Sequence, residues 1–175
     1  AKKIFPEINH IALRKIDYLL DLDKSGLEVF PDQSKDFVII NHVLEHLLFP
    51  DHAIYECHRI LKSGGYLVLA IPDKFHTFDL ERPITSSKSI FNRKKRLIKT
   101  PIPEDYFPVL ECNHSKMLKE DMNTQREFMK KLMIRREHLN VWDTIEFKSF
   151  FEETCTLNNL SFTNIKEFTP STNNF

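Results

Sequence analysis

Two imidazoles and a carboxylate fall close together at His42-Val43-Leu44-Glu45-His46. On a helix, histidines at i and i+4 share a face, and such a pair can hold zinc or leave one ring free as a general base near neutral pH. If an acceptor must lose a proton, His46 is the candidate catalytic residue, with Glu45 read as structural. A second set, His76, Thr77, Asp79, Arg82, His138 and Trp142, is polar and aromatic enough to contact a small polar substrate, although surface loops carry such residues by default. The run Arg93-Lys94-Lys95-Arg96 reads as a solvated charge run, its functional alternative being contact with an anionic, phosphate-bearing acceptor. Cys57, Cys112 and Cys155 are odd in number, far apart and in no C-x-x-C arrangement. They fit neither a disulfide framework nor a thiolate zinc site and suit a reducing cytoplasm.

The elements that must position these groups follow from periodicity. Ile16 to Leu20, ending in Asp21-Leu22-Asp23, and Phe37 to Ile40, ending in Asn41-His42, are short apolar runs of the kind buried in a parallel sheet. From Asp51 to Lys62 the residues Ala53, Ile54, Cys57, Ile60 and Leu61 recur at helical spacing, between Pro50-Asp51 as a start and Ser63-Gly64-Gly65 as a stop. Tyr66 to Ile71 then reads as a buried strand. Strand, helix and strand imply a parallel crossover, and the three strands are expected side by side in one doubly wound α/β sheet. Residues 73–116, broken by Pro83, Pro101, Pro103 and Pro108, read as a lid or insertion over the carboxyl edge of that sheet. Leu118, Met122, Met129, Leu132 and Met133 mark a further helix that packs into the core. Phe147, Phe150 and Phe151 mark another, which stops at Asn158-Asn159. Leu160, Phe162, Ile165 and Phe168 suggest a last strand.

At 175 residues the chain predicts one domain spanning 1–175, with one core. No apolar stretch approaches the length of a membrane span. Lys+Arg and Asp+Glu are both 25, so no global field favours nucleic acid or an anionic membrane. That composition argues for a small-molecule or peptide ligand and leaves the oligomeric state open.

Asp36 through His46, followed by Glu56 and the run Arg59-Ile60-Leu61-Lys62-Ser63-Gly64-Gly65 up to Pro72, resembles the central block of class I S-adenosylmethionine-dependent methyltransferases. In that family the first run is the fourth strand with its "LEH" turn, and the second is a helix, an "LKPGG" turn and the fifth strand. Ser63 stands where the family has proline. Asp17 to Leu22 resembles the third strand with its acidic end. Pro72-Asp73-Lys74, Thr77-Phe78-Asp79, Arg82-Pro83 and His138-Leu139-Asn140-Val141-Trp142 resemble a bacterial subgroup. The resemblance implies a Rossmann-like fold, methyl transfer, and S-adenosyl-L-methionine as cofactor. It places Asp21 on the adenine amino group, with Leu22 beside it in backbone contact. Asn41, His42 and Pro72 fall at strand ends where ligands of open α/β sheets bind. His76, Asp79, Arg82, His138 and Trp142 fall on the side of a sugar or surface-glycan precursor, methylated on oxygen or nitrogen.

One departure from the family is large. Its first strand ends in an acidic-Gly-x-Gly turn whose N–H groups receive the methionine carboxylate. The only glycines in this chain are Gly26, Gly64 and Gly65, none in that setting, and the acidic residue that holds the ribose is not recognisable. Both would precede Ala1, so the chain reads as a fragment of a longer protein. The alternative is a methyltransferase-like scaffold without catalysis. A smaller alternative is a zinc metallopeptidase, because His42 to His46 satisfies H-x-x-E-H. Against it, the run begins directly after a strand and Pro50 follows closely, so no sustained helix and no metal site are expected.

Overall fold

The computed structural model describes residues 15–168. Its organising unit is strand β1 (Lys35–Asn41), helix α1 (Pro50–Ile60) and strand β2 (Leu61–Ala70). The strands pair in parallel, with Phe37 opposite Tyr66 and Asn41 opposite Ala70. Helix α1 starts at Pro50, whose fixed φ suits a first helical position that needs no donor, with Asp51 in the first turn. Its Ala53, Ile54, Cys57 and Ile60 are buried. Gly65 lets the chain turn back against β1, since a Cβ there would lie 2.9 Å from the Asp36 carbonyl oxygen. The fold is α/β and Rossmann-like, and this β–α–β unit is the part of it formed by the described residues.

Side chains alternate across the sheet. Val38, Ile40, Leu67 and Leu69 face a cluster built from Leu44, Leu47, Ile54, Ile90, Trp142 and Phe150. Phe37, Ile39, Tyr66 and Val68 are exposed on the other face. Helices α2 (Ser87–Lys95), α3 (Phe107–Asn113), α4 (Met122–Arg135) and α5 (Thr144–Leu157) follow. Helix α5 packs on α1 and α2. A second cluster joins Leu48, Tyr106, Val109, Leu110, Met129, Leu132 and Leu139. The apolar interior is thus divided in two, where composition suggests one core. Residues 73–116 supply Ile90 to the first cluster and Tyr106, Val109 and Leu110 to the second.

Three expectations are corrected. Ile16 to Leu20 forms no strand: Ile16 and Leu19 are exposed, Leu19 by 94%, and Tyr18 packs edge-on against Phe30. An apolar run becomes a strand only where a neighbouring edge takes its backbone hydrogen bonds, and among the described residues β1 and β2 are the paired strands, with one isolated bridge between Asp73 and Trp142. Leu160 to Phe168 is irregular for the same reason. In the basic run, Arg93 is not a solvated charge. Its guanidinium donates to the Leu48 carbonyl at 3.2 Å and to the Asn140 side chain at 2.8 Å.

The segment after Leu20 wraps α1 instead of joining the sheet. The Asp23 carboxylate accepts the Leu48 and Phe49 N–H groups at 3.1 and 2.9 Å, where α1 begins. Farther along, Arg59 bonds Glu56, Asp32 and the carbonyls of Leu27 and Phe30. The hydrogen bond from Arg59, with others, holds the Glu56 carboxyl below its ordinary value despite burial. Burial pushes the Cys57 thiol up to about 12, which leaves it unreactive. No helix among the described residues is long and apolar enough to cross a membrane.

Candidate functional site

Where β1 ends the chain turns sharply. His42 takes the left-handed conformation, φ 52°, and its N–H bonds the Ala70 carbonyl at 3.0 Å. Leu44–His46 is a single 3-10 turn, with Leu44 and Glu45 buried. This geometry is not the sustained helix that an H-x-x-E-H zinc peptidase requires, and the peptidase alternative finds no support.

A distant segment is pinned against the turn. The N–H groups of Leu139 and Asn140 both donate to the Glu45 carbonyl at 2.8 Å. The Asn140 side chain donates to the Leu44 and Leu47 carbonyls at 3.2 and 2.7 Å and accepts from Arg93. Lys74 N–H bonds the Trp142 carbonyl, and Thr85 N–H bonds that of Val141, so residues 138–142 are held from both sides. Asn140, which the sequence reading passes over as a site residue, is the central tie. Replacing it with alanine is expected to lower stability by about 1–3 kcal/mol, since the buried Leu47 carbonyl loses its partner and the Leu44 carbonyl and Arg93 each lose one of two. A urea midpoint unchanged by Asn140→Ala would contradict that.

The consequence is a cluster of ionisable groups. His46 and His138 meet edge to face with ring centroids 4.9 Å apart. Glu45 Oε1 lies 3.4 Å from His42 Nδ1, 3.6 Å from His46 Nε2 and 4.0 Å from His138 Nε2. His138 Nδ1 is 2.6 Å from Asp79 Oδ2, and Arg82 Nη1 donates to Asp79 Oδ1 at 2.6 Å while its Nη2 donates to the His138 carbonyl. An ionised carboxylate only accepts, so His138 Nδ1 carries the proton. Burial raises the Asp79 carboxyl, yet the bonds from His138 and Arg82 outweigh it and hold the group below its ordinary value.

His46 and His138 are therefore brought together with Asp79 and Arg82. Asp79 and Arg82 are buried, and they act on the site by orienting His138. Trp142 is also buried, stacked on Phe150, and shapes the site from within the core. His76 is exposed, 4.0 Å from Asp73. A cleft of about 360 Å³ reaches the cluster's back at Arg82 and runs past Thr85, Ser89, Arg93 and Asp105. Another, of about 350 Å³, lies away from the cluster along His52, Glu56 and Arg59.

Five residues are expected to meet the cofactor: Asn41, His42, Pro72, Asp21 and Leu22. Asn41 and His42 are exposed at the carboxyl edge of the sheet, beside buried Pro72. Asp21 caps a turn through its carbonyl, which receives the N–H groups of Lys24, Ser25 and Gly26. Its carboxylate pairs with Lys24 at 3.4 Å and Arg136 at 3.3 Å. Leu22 packs against the first cluster. A glycine cradle for the methionine end is not among the described residues.

Residues 10–69 match the model of a methyltransferase domain family, about a third of the chain. No curated protein and no solved structure matches the chain. The matched stretch contains β1, α1, most of β2, and Glu45 and His46. A parallel β–α–β unit lies over those same residues, and in this central block the chain is similar to a methyltransferase domain.

Proposed function

We propose that the protein transfers a methyl group to oxygen or nitrogen of a small polar acceptor, a sugar or surface-glycan precursor, in the cytoplasm and with no nucleic-acid or membrane partner. The carrying observation is the side chain of His46, 28% exposed, beside the buried carboxylate of Glu45 at the turn that follows β1. Bound S-adenosylmethionine supplies an already activated methyl group. The protein's residues align the acceptor, exclude water and handle its proton. Asp21, Leu22, Asn41, His42 and Pro72 line the cofactor side. His46 faces the acceptor, and His138 stands across from it, positioned by Asp79 and Arg82, with His76 at the rim and Trp142 behind. The balanced charge of the chain supports a neutral or mixed-charge small molecule over a polyanion.

The test supplies methyl-labelled cofactor at several-millimolar concentration with a panel of sugars, sugar nucleotides, proteins and nucleic acids. Label is expected in the small-molecule fraction, at a rate that His46→Ala lowers by about 10²–10⁴-fold. Label confined to protein or nucleic acid, or a rate indifferent to His46, would refute the assignment.

A further inference from the structure

We propose that Glu45, His46 and His138 bind a divalent transition-metal ion of the zinc type. The three side chains each offer one ligand atom, and these atoms lie within 4.8 Å of one another. Glu45 is wholly buried, and neither of its carboxylate oxygens has a hydrogen-bond partner among the described residues. A buried carboxylate in that state is strongly unfavourable unless a cation meets it. Hydrogen bonds from the neighbouring imidazoles do not answer the need: His42 Nδ1, His46 Nε2 and His138 Nε2 stand 3.4, 3.6 and 4.0 Å from Glu45 Oε1, and none of them makes a hydrogen bond to it.

The same gaps suit an ion placed between the groups. Ligands about 2.0–2.1 Å from a tetrahedral centre stand about 3.3 Å apart, so a cluster whose ligand atoms lie up to 4.8 Å from one another closes on a metal by inward shifts of about half an ångström each. His138 is prepared for the role. Its Nδ1 donates to Asp79, which leaves the Nε2 lone pair facing Glu45, where it meets a negative oxygen unless a cation lies between. A carboxylate on the far nitrogen is the support that metal-bound imidazoles have, and Arg82 in turn fixes that carboxylate. The Glu45 carbonyl, held by the N–H groups of Leu139 and Asn140, keeps the two chain segments in register. Two imidazoles with one carboxylate select zinc, iron(II) or cobalt(II) over magnesium or calcium. His46 and the more exposed His42 leave a path from solvent. Three protein ligands leave a coordination position open on that side, where an oxygen of a polar acceptor would bind. Only this last point rests on the methyl-transfer reading, in which His46 would then act on the acceptor's oxygen through the bound ion and not as a free base.

The experiment titrates cobalt(II) into the full chain, stripped of metal by a chelator, and follows visible absorption; zinc is then added in competition. One equivalent is expected to bind with a Kd of about 1 µM or below, to be displaced by zinc, and to raise Tm. His46→Ala removes a partly exposed ring that belongs to neither apolar cluster, and His138→Ala and Glu45→Gln remove the other ligands. Each variant shown to be folded by circular dichroism is expected to bind at least about 100-fold more weakly. A wild-type Kd above about 100 µM, or tight binding retained by folded His46→Ala, overturns the proposal. Cofactor and acceptor are absent from the titration, so its outcome and that of the labelling assay are independent.

Discussion

Asp79→Ala is expected to destabilise the protein by about 3–5 kcal/mol, because it strands a guanidinium that is 3% exposed and frees the His138 ring. Asp79 and Arg82 meet at 2.6 Å with almost no water, so the loss is that of a broken buried pair and not of a surface salt bridge. Asp79→Asn keeps the shape and an acceptor oxygen and is expected to lose less. The pH dependence has a definite sign. The folded Asp79 carboxyl titrates below its ordinary value of 3.8. Its contribution is complete above that value and is lost as pH falls through the lower, folded one. Asp79→Asn should therefore flatten the acid side of the stability profile. Urea midpoints of wild type and variant between pH 2 and 6 check this: parallel acid limbs would remove Asp79 from the network.

S-adenosylhomocysteine is expected to bind this 175-residue chain weakly, with saturation only near or above about 1 mM. The three glycines sit at Gly26, against Glu56 and His52, at Gly64, in the first half of β2 with no neighbour close by, and at Gly65, against β1. None is available to wrap a carboxylate. Two or three absent hydrogen bonds to that charge, about 1.5–3 kcal/mol each, weaken binding by several powers of ten. Asp21 does not compensate, being of the wrong sign for the carboxylate and already paired with Lys24 and Arg136. Isothermal titration calorimetry on a sample verified by mass spectrometry decides the matter, and low-micromolar affinity would show that the chain holds the cofactor by other groups.

The sequence by itself determined β1, α1 and β2, because what specifies them is local. The helical spacing of Ala53, Ile54, Cys57 and Ile60 after a proline start needs no distant partner to be read, although the helix ends at Ile60 and Ser63-Gly64-Gly65, expected as its stop, lies within β2. Helix α5 was legible on the same ground, ending at Leu157 just before Asn158-Asn159. Ile16 to Leu20 was not legible: its composition is that of a strand, but a strand exists only where another offers its hydrogen bonds, and here the segment lies exposed. Of the site, the sequence marked His46, Asp79, Arg82 and His138 one by one. Only the tertiary structure decided that they form one cluster, that Arg93 turns inward, and that Glu45 is a buried carboxylate with neither oxygen hydrogen-bonded among the described residues. The physical reason is the pairing of Asn140 with Leu44 and Leu47 across 96 and 93 residues of chain, a closure to which no periodicity points. Hydrogen bonds of that span depend on which backbone carbonyls the fold leaves unpaired, and that is settled only when the β–α–β unit and the later helices have packed.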